Sequence, residues 1–237
     1  GLGDVYKRQI AGQMGFSVGR INLLVKSAIL HDIGALKLQQ LPDAEDLDDG
    51  TKEVVKKNTQ ETLAQYGDLD EEVLRLIAQM QELYTRESDA EIPAGLKESV
   101  NANILYVADA YDRMTAMKSF EEPTSEVKAV RELLADEERY NKKIVNALIH
   151  GISILYPGVC VELSNGEKGL VITENEDNIF EPTVLDFRNN NLYDLSDPSV
   201  KQTVEIADVM KTMDNRIKLD KSCLLYTSPS PRDPKTS

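Results

Sequence analysis

His31 and Asp32 stand side by side where an apolar run ends, in the stretch Ala28-Ile29-Leu30-His31-Asp32-Ile33-Gly34. An imidazole beside a carboxylate suits iron, manganese or a similar divalent ion. Such an ion polarises a phosphoryl oxygen and generates hydroxide at neutral pH, so the chemistry implied is metal-assisted hydrolysis of a phosphoester. Adjacent residues on a helix point about 100° apart, so both can reach one ion only at a helix end or a bend. Gly34 is read as the residue that permits the bend.

Further ligands must come from elsewhere in the chain. Only two histidines are present. The second, His150, lies far downstream at a helix end, where a structural or C-terminal capping role is expected. Asp109, in Ile104-Leu105-Tyr106-Val107-Ala108-Asp109-Ala110-Tyr111-Asp112, is a lone carboxylate on an apolar helical face. Burying a carboxylate is costly unless it is paired or bound to metal. The candidate metal set is therefore His31, Asp32 and Asp109, with Asp112 as an outer partner. Lys37 and Arg113 are candidates for holding phosphate. Lys56 and Lys57 join them if the ligand is a nucleotide bound without cleavage. A plainer reading stands beside this one: Asp32 hydrogen-bonds a helix end, and Asp109 bonds His31 or backbone.

Helices must position these groups. Residues 10–30 read as a helix, a turn at Gly15-Phe16-Ser17 and a second helix capped by Ser17. The acidic run 43–49 is expected to be a solvated loop, since it lacks the spacing and glycine of a calcium loop. Residues 51–66 are amphipathic, with Val54, Val55, Leu63 and Tyr66 expected inward. Residues 70–84 repeat the pattern with Val73, Leu74, Ile77, Met80 and Leu83. A polar loop at 85–95 precedes a long helix at roughly 96–118, whose inner stripe is Val100, Ile104, Val107, Ala108 and Tyr111. Residues 119–125 break it, and Ser125 is expected to cap a helix to about 137. A last helix spans 141–153. From 158 to 172 the pattern alternates apolar and polar around Asn165-Gly166, a strong hairpin signal. A further strand and turn follow at 181–196, with Asn189-Asn190-Asn191 as the turn. The predicted fold is mainly α, a helical bundle over 10–156, followed by a small antiparallel β module with a terminal helix over 157–221.

Composition narrows the setting. The chain has 237 residues, with 27 basic against 41 acidic side chains and a net charge of −14. Non-specific binding to a nucleic-acid polymer or an anionic membrane surface is disfavoured. No apolar run is long enough to span a bilayer, and no signal peptide is visible. Two cysteines, Cys160 and Cys223, form no disulfide framework, so a reducing, cytoplasmic setting is expected. Residues 1–9 and 222–237 resemble translated sequencing-adapter DNA and are set aside as foreign to the fold, which would leave the helical domain truncated at its N-terminus.

The stretches Leu23-Leu24-Val25-Lys26-Ser27-Ala28-Ile29-Leu30-His31-Asp32-Ile33-Gly34 and Asn103 to Phe120 together resemble the HD superfamily of metal-dependent phosphohydrolases. The sub-pattern resembles its HD-GYP branch, bacterial cyclic di-GMP phosphodiesterases that act in signal transduction. Ile92-Pro93-Ala94-Gly95-Leu96 sits where that branch carries its Gly-Tyr-Pro signature, and residues 147–172 resemble the β extension that follows many such domains. The resemblance covers roughly residues 10–195 and implies a centre of two or three metal ions. Several positions depart from the pattern. Ala35 replaces a lysine, Asn58 a histidine, and Met80-Gln81 the two histidines of a His-His-Glu run whose Glu82 is retained, which the resemblance offers as a further outer partner. Amides and a thioether are poor substitutes for imidazole at such ions. The resemblance therefore implies a degenerate HD-GYP-like domain, a regulatory or interaction module with lost or reduced hydrolysis. The alternative is an active phosphodiesterase with a reduced site. Possible partners are a cyclic dinucleotide and other signalling proteins or domains.

Overall fold

A computed structural model of the chain describes residues 3–38, 49–85, 92–116 and 123–210. The bulk of the acidic run, most of the signature-loop region, most of the break at 119–125, the terminal helix expected before 221 and the tail 222–237 lie outside the described residues. The chain divides into two units, Gly1–Ile152 and Ser153–Ser237. The division falls slightly before Tyr156-Pro157-Gly158, where composition suggested it.

The first unit is helical. It holds α1 (Gly3–Gln13), α2 (Val18–Leu30), a 3-10 turn (Ile33–Lys37), α3 (Asp49–Leu63), α4 (Glu71–Tyr84), α5 (Ala94–Glu98), α6 (Val100–Thr115), α7 (Glu126–Ala135) and α8 (Lys142–Ile152). Capping sets several boundaries. The Ser17 hydroxyl accepts from the Arg20 N–H, Asp70 from Glu72, and Ser125 from Lys128. Each satisfies one of the first-turn donors that a helix leaves unpaired.

α6 is the central helix. Its residues Ala102 to Ala108, Ala110 and Tyr111 are buried, and it packs against α1, α4, α7 and α8. A second cluster forms around Leu63, Val73 and Ile77, with Leu23, Leu30 and Ile33 packed on it. That cluster joins the end of α2 and the 3-10 turn to α3 and α4. Each fully buried Leu or Ile contributes roughly 1.5–3 kcal/mol relative to exposure. α1 takes in residues 3–9 of the segment set aside from the sequence: Lys7 is buried, and the Tyr6 and Tyr111 rings meet edge to face at 4.9 Å.

Three expectations are corrected: Val100, expected on the inner stripe of the long helix, is exposed, and two more concern α3 and the extent of that helix. Val54 and Tyr66 are exposed; the buried stripe of α3 is Val55, Thr59 and Leu63. This is one i, i+4, i+8 row, and the polar Thr59 within it carries a structural task described below. The helix expected over 96–118 is two helices, interrupted at Ser99 with φ −72° and ψ 89°. The Asn103 amide donates to the carbonyls of Leu96 and Ser99 at 2.9 Å each, which satisfies the broken end.

The second unit is an antiparallel sheet of β1 (Cys160–Leu163), β2 (Lys168–Thr173), β3 (Thr183–Asp186), β4 (Leu192–Asp194) and β5 (Ile206–Val209), with a short helix α9 (Pro198–Lys201). Strand order is β4-β3-β2-β1-β5. Val161, Leu163, Val171, Val184, Leu185 and Ile206 form its core. In the β1–β2 hairpin only Gly166 takes positive φ, +80°. Asn165 instead uses its side chain to accept from the Glu167 N–H. Ion pairs Arg188–Glu167 and Lys201–Glu181 tie surface segments together. The mainly helical fold followed by a small antiparallel β module is as the sequence predicts. Among the described residues no helix is long and apolar enough to cross a membrane.

Candidate functional site

His31 terminates α2 in a helical conformation, and Asp32 leads into the 3-10 turn with φ −118° and ψ 13°. The bend is therefore made by Asp32. Gly34 has no positive φ; its lack of a side chain serves packing. A Cβ there would lie 2.3 Å from the Thr59 nitrogen and 2.4 Å from the Val55 carbonyl oxygen. Contacts that short exclude any larger residue while α3 keeps its place.

The segment His31–Gly34 is held by side chains that the sequence reading treated as lost ligands or did not single out. Thr59, wholly buried, accepts from the Gly34 N–H at 3.0 Å and faces the His31 carbonyl at 3.5 Å. The Gln81 amide donates to the same His31 carbonyl at 2.8 Å. The Asn58 amide reaches the Gly34 carbonyl at 3.4 Å. Met80 is core, with no exposure. Asn58 and Gln81 thus bind backbone oxygens through their amide N–H groups.

The His31 ring stands between two carboxylates. Nδ1 donates to the Ala28 carbonyl at 2.7 Å, and Asp32 Oδ1 lies 3.8 Å from the same nitrogen. Nε2 faces Asp109 Oδ1 at 3.6 Å. Asp109 Oδ2 in turn lies 3.1 Å from Arg113 Nε, one turn along α6. Arg113 is also stacked on Tyr84, with its guanidinium carbon 4.5 Å from the ring centre. His31 and Asp109 are largely buried, whereas the Asp32 side chain is 65% exposed.

Electrostatics follow that geometry. Burial works against the His31 imidazolium, but the neighbouring Asp109 carboxylate outweighs it and raises the imidazole pKa. Burial likewise works against the Asp109 carboxylate, yet His31 and Arg113 hold its pKa below the ordinary value. The result is a partly buried triad, imidazolium, carboxylate and guanidinium, in which each charge has an opposite neighbour.

The remaining candidates are not gathered here. Glu82 is exposed on α4, and Lys37 and Lys57 are exposed. Lys56 pairs with Glu53 and reaches the Thr85 hydroxyl at 3.3 Å. The charge of Asp112 bears on the Tyr6 phenol, where it raises the pKa along with burial. His150 is exposed in the last turn of α8. Among the described residues no group of three or more His, Cys, Asp or Glu side chains comes together as a metal site.

The donors as placed do not fit a single ion. An ion on His31 Nε2 would meet one carboxylate, Asp109, with a guanidinium already against it. Asp32 lies on the other side of the ring, beside a nitrogen whose proton is given to Ala28. Of the residues expected to share one metal, His31 and Asp109 are brought together at Nε2, and Asp32 lies 3.8 Å from the opposite ring nitrogen. Sequence reasoning did not find Thr59 and Tyr84. Thr59 left a signal, a polar residue on the apolar row of Val55 and Leu63.

The HD domain family model matches residues 7–114, the segment from α1 to the end of α6 that carries His31, Asp32 and Asp109. Over that segment the chain is similar to HD domains, a superfamily of metal-dependent phosphohydrolases. Domains of this superfamily typically bind divalent metals. No curated protein matches the chain.

Proposed function

We propose that this domain is a degenerate relative of the HD-GYP cyclic di-GMP phosphodiesterases, working as a regulatory or interaction module with hydrolysis lost or strongly reduced. The observation that supports this most is the position of the His31 ring between Asp32 and Asp109. The two carboxylates of the candidate metal set face opposite nitrogens, at 3.8 and 3.6 Å. A metal that activates water needs converging ligands and an open position. Here the Asp109 oxygens are met by His31 and Arg113 instead. Under this reading the domain's partners are other signalling domains and, without turnover, a cyclic dinucleotide. Composition and cysteine usage favour a cytoplasmic setting for such a module.

One observation favours the alternative of an active enzyme with a reduced site. A nitrogen and an oxygen 3.6 Å apart suit two ligands of one ion bonded at about 2.1 Å each. Hydrolysis of cyclic di-GMP by the purified full chain, with Mn2+ or Fe2+ supplied, separates the two. The proposal expects no turnover above a His31→Ala control. Efficient metal-dependent turnover that disappears in His31→Ala would overturn it.

A further inference from the structure

We propose that Arg113 is the resident counter-cation of Asp109, taking the electrostatic place of a divalent ion and keeping such ions from the Nε2 side of His31. The inference rests on the degenerate reading above and assigns the group responsible for it.

An Asp and an Arg four residues apart on a helix surface contribute only a few tenths of a kcal/mol and carry no such meaning. Three features separate Asp109–Arg113 from that case. First, Asp109 is largely buried on the packed face of the central helix, so its charge requires a partner. Second, Arg113 is held from the other side by the Tyr84 ring. Stacking on an aromatic face fixes a guanidinium by cation–π attraction and restricts where its charge can go. Third, the Arg113 Nε contact at 3.1 Å is close but off the N–H axis, and Nε has no aligned hydrogen-bond acceptor. The guanidinium therefore serves Asp109 chiefly as a charge, which is also what an ion would supply.

The two carboxylate oxygens are divided between the two cations. Oδ1 faces His31 and Oδ2 faces Arg113. A divalent ion arriving at Nε2 would sit within a few ångströms of a fixed positive charge. Removing one unit of like charge at that distance changes an equilibrium by well over roughly tenfold, even at the high effective dielectric of a protein surface.

The test is Mn2+ binding to the full chain, read from the loss of the free-ion electron paramagnetic resonance signal. Arg113→Ala is expected to bind Mn2+ roughly tenfold or more tighter than the wild type. The added Asp109→Asn substitution is expected to abolish that gain. Arg113→Gln, which keeps a planar group against Tyr84, provides the same comparison if the alanine variant melts too low to assay. Equal affinity in wild type and variants, whether tight or undetectable, overturns the role of Arg113. So does a gain that survives Asp109→Asn. Metal-dependent hydrolysis by the wild type would instead overturn the degenerate reading, so the two failures are distinguishable.

Discussion

Among the described residues the helical unit buries several polar side chains, whereas in the β unit only Asp186 is buried. In the β unit, side-chain oxygens serve turns: Asn165, Asn189, Asp194 and Asp197 each accept from a nearby backbone N–H. These groups are exposed, and the sheet beneath them is held by its backbone ladder. In the helical unit, Ser27, Thr59, Gln81 and Asn103 are buried, and three of them bond backbone atoms distant in sequence or at a helix break. A buried amide or hydroxyl costs free energy unless it is paired, so such groups persist where they fix something. What Thr59 and Gln81 fix is the corner carrying His31. The contrast places His31 and Asp109 in the helical unit, where Thr59 and Gln81 bind the backbone of the corner that carries His31.

Glycine substitutions offer the harshest test of the contrast. Gly34→Ala drives a Cβ into α3 backbone, with contacts of 2.3 and 2.4 Å, and should cost about 3 kcal/mol or more. Gly169→Ala in β2 meets the Val184 Cγ1 side-chain atom at 2.4 Å and the Leu185 carbonyl oxygen at 2.9 Å. A side chain yields more readily than backbone, so denaturant unfolding should show the smaller loss there. Equal losses would remove the distinction between a locked corner and an adaptable sheet.

Gln81→Leu comes next. It leaves the His31 carbonyl with only the long Thr59 contact, and a loss of about 1–3 kcal/mol is expected. A stability unchanged by that substitution would mean the clamp is not holding the corner.

Charge at the site has a pH signature. The raised His31 pKa contributes stability that is fully present below pH 6.5, the ordinary imidazole value, and lost as pH rises through the folded value. The lowered Asp109 pKa contributes stability that is present above pH 3.8 and lost as pH falls through its folded value. The melting-temperature gap between wild type and Asp109→Asn should therefore be widest between about pH 4 and 6.5 and narrow above it. A gap that does not change with pH would contradict the ion pair. In Asp109→Asn the imidazole should also titrate lower, since burial is then less opposed.

Asp32→Ala should do least. The side chain is mostly exposed and caps nothing, so the change should fall within about 0.5 kcal/mol. A larger loss would show that Asp32 has a partner and that the two sides of the His31 ring are more alike than described.

Much of this was legible in the sequence, for identifiable reasons. Ser17 and Ser125 were readable as caps because capping depends on local spacing. The hairpin was readable from Asn165-Gly166, although only the glycine uses positive φ. His31 and Asp109 were readable as partners because a lone carboxylate on an apolar helix face must be paired. The break at Ser99 was not readable, because it is stabilised by the Asn103 amide folding back onto carbonyls of the preceding turn. Val54 and Val55 could not be told apart, since neighbouring apolar positions on an amphipathic helix compete and tertiary packing chooses. Which ring nitrogen Asp32 faces was not readable, because sequence adjacency does not say. The pairing of Arg113 with Asp109 and its stacking on Tyr84 were not readable, because they depend on how α4 and α6 meet.

The account turns on whether the corner at His31 holds an internal ion pair or a metal. Elemental analysis of the full chain, purified without chelator from cells supplied with iron and manganese, addresses this most directly. Iron, manganese and zinc far below one ion per chain, in wild type and in His31→Ala alike, is the expected result. One or more ions per chain in the wild type, lost in both His31→Ala and Asp109→Asn, would contradict the account.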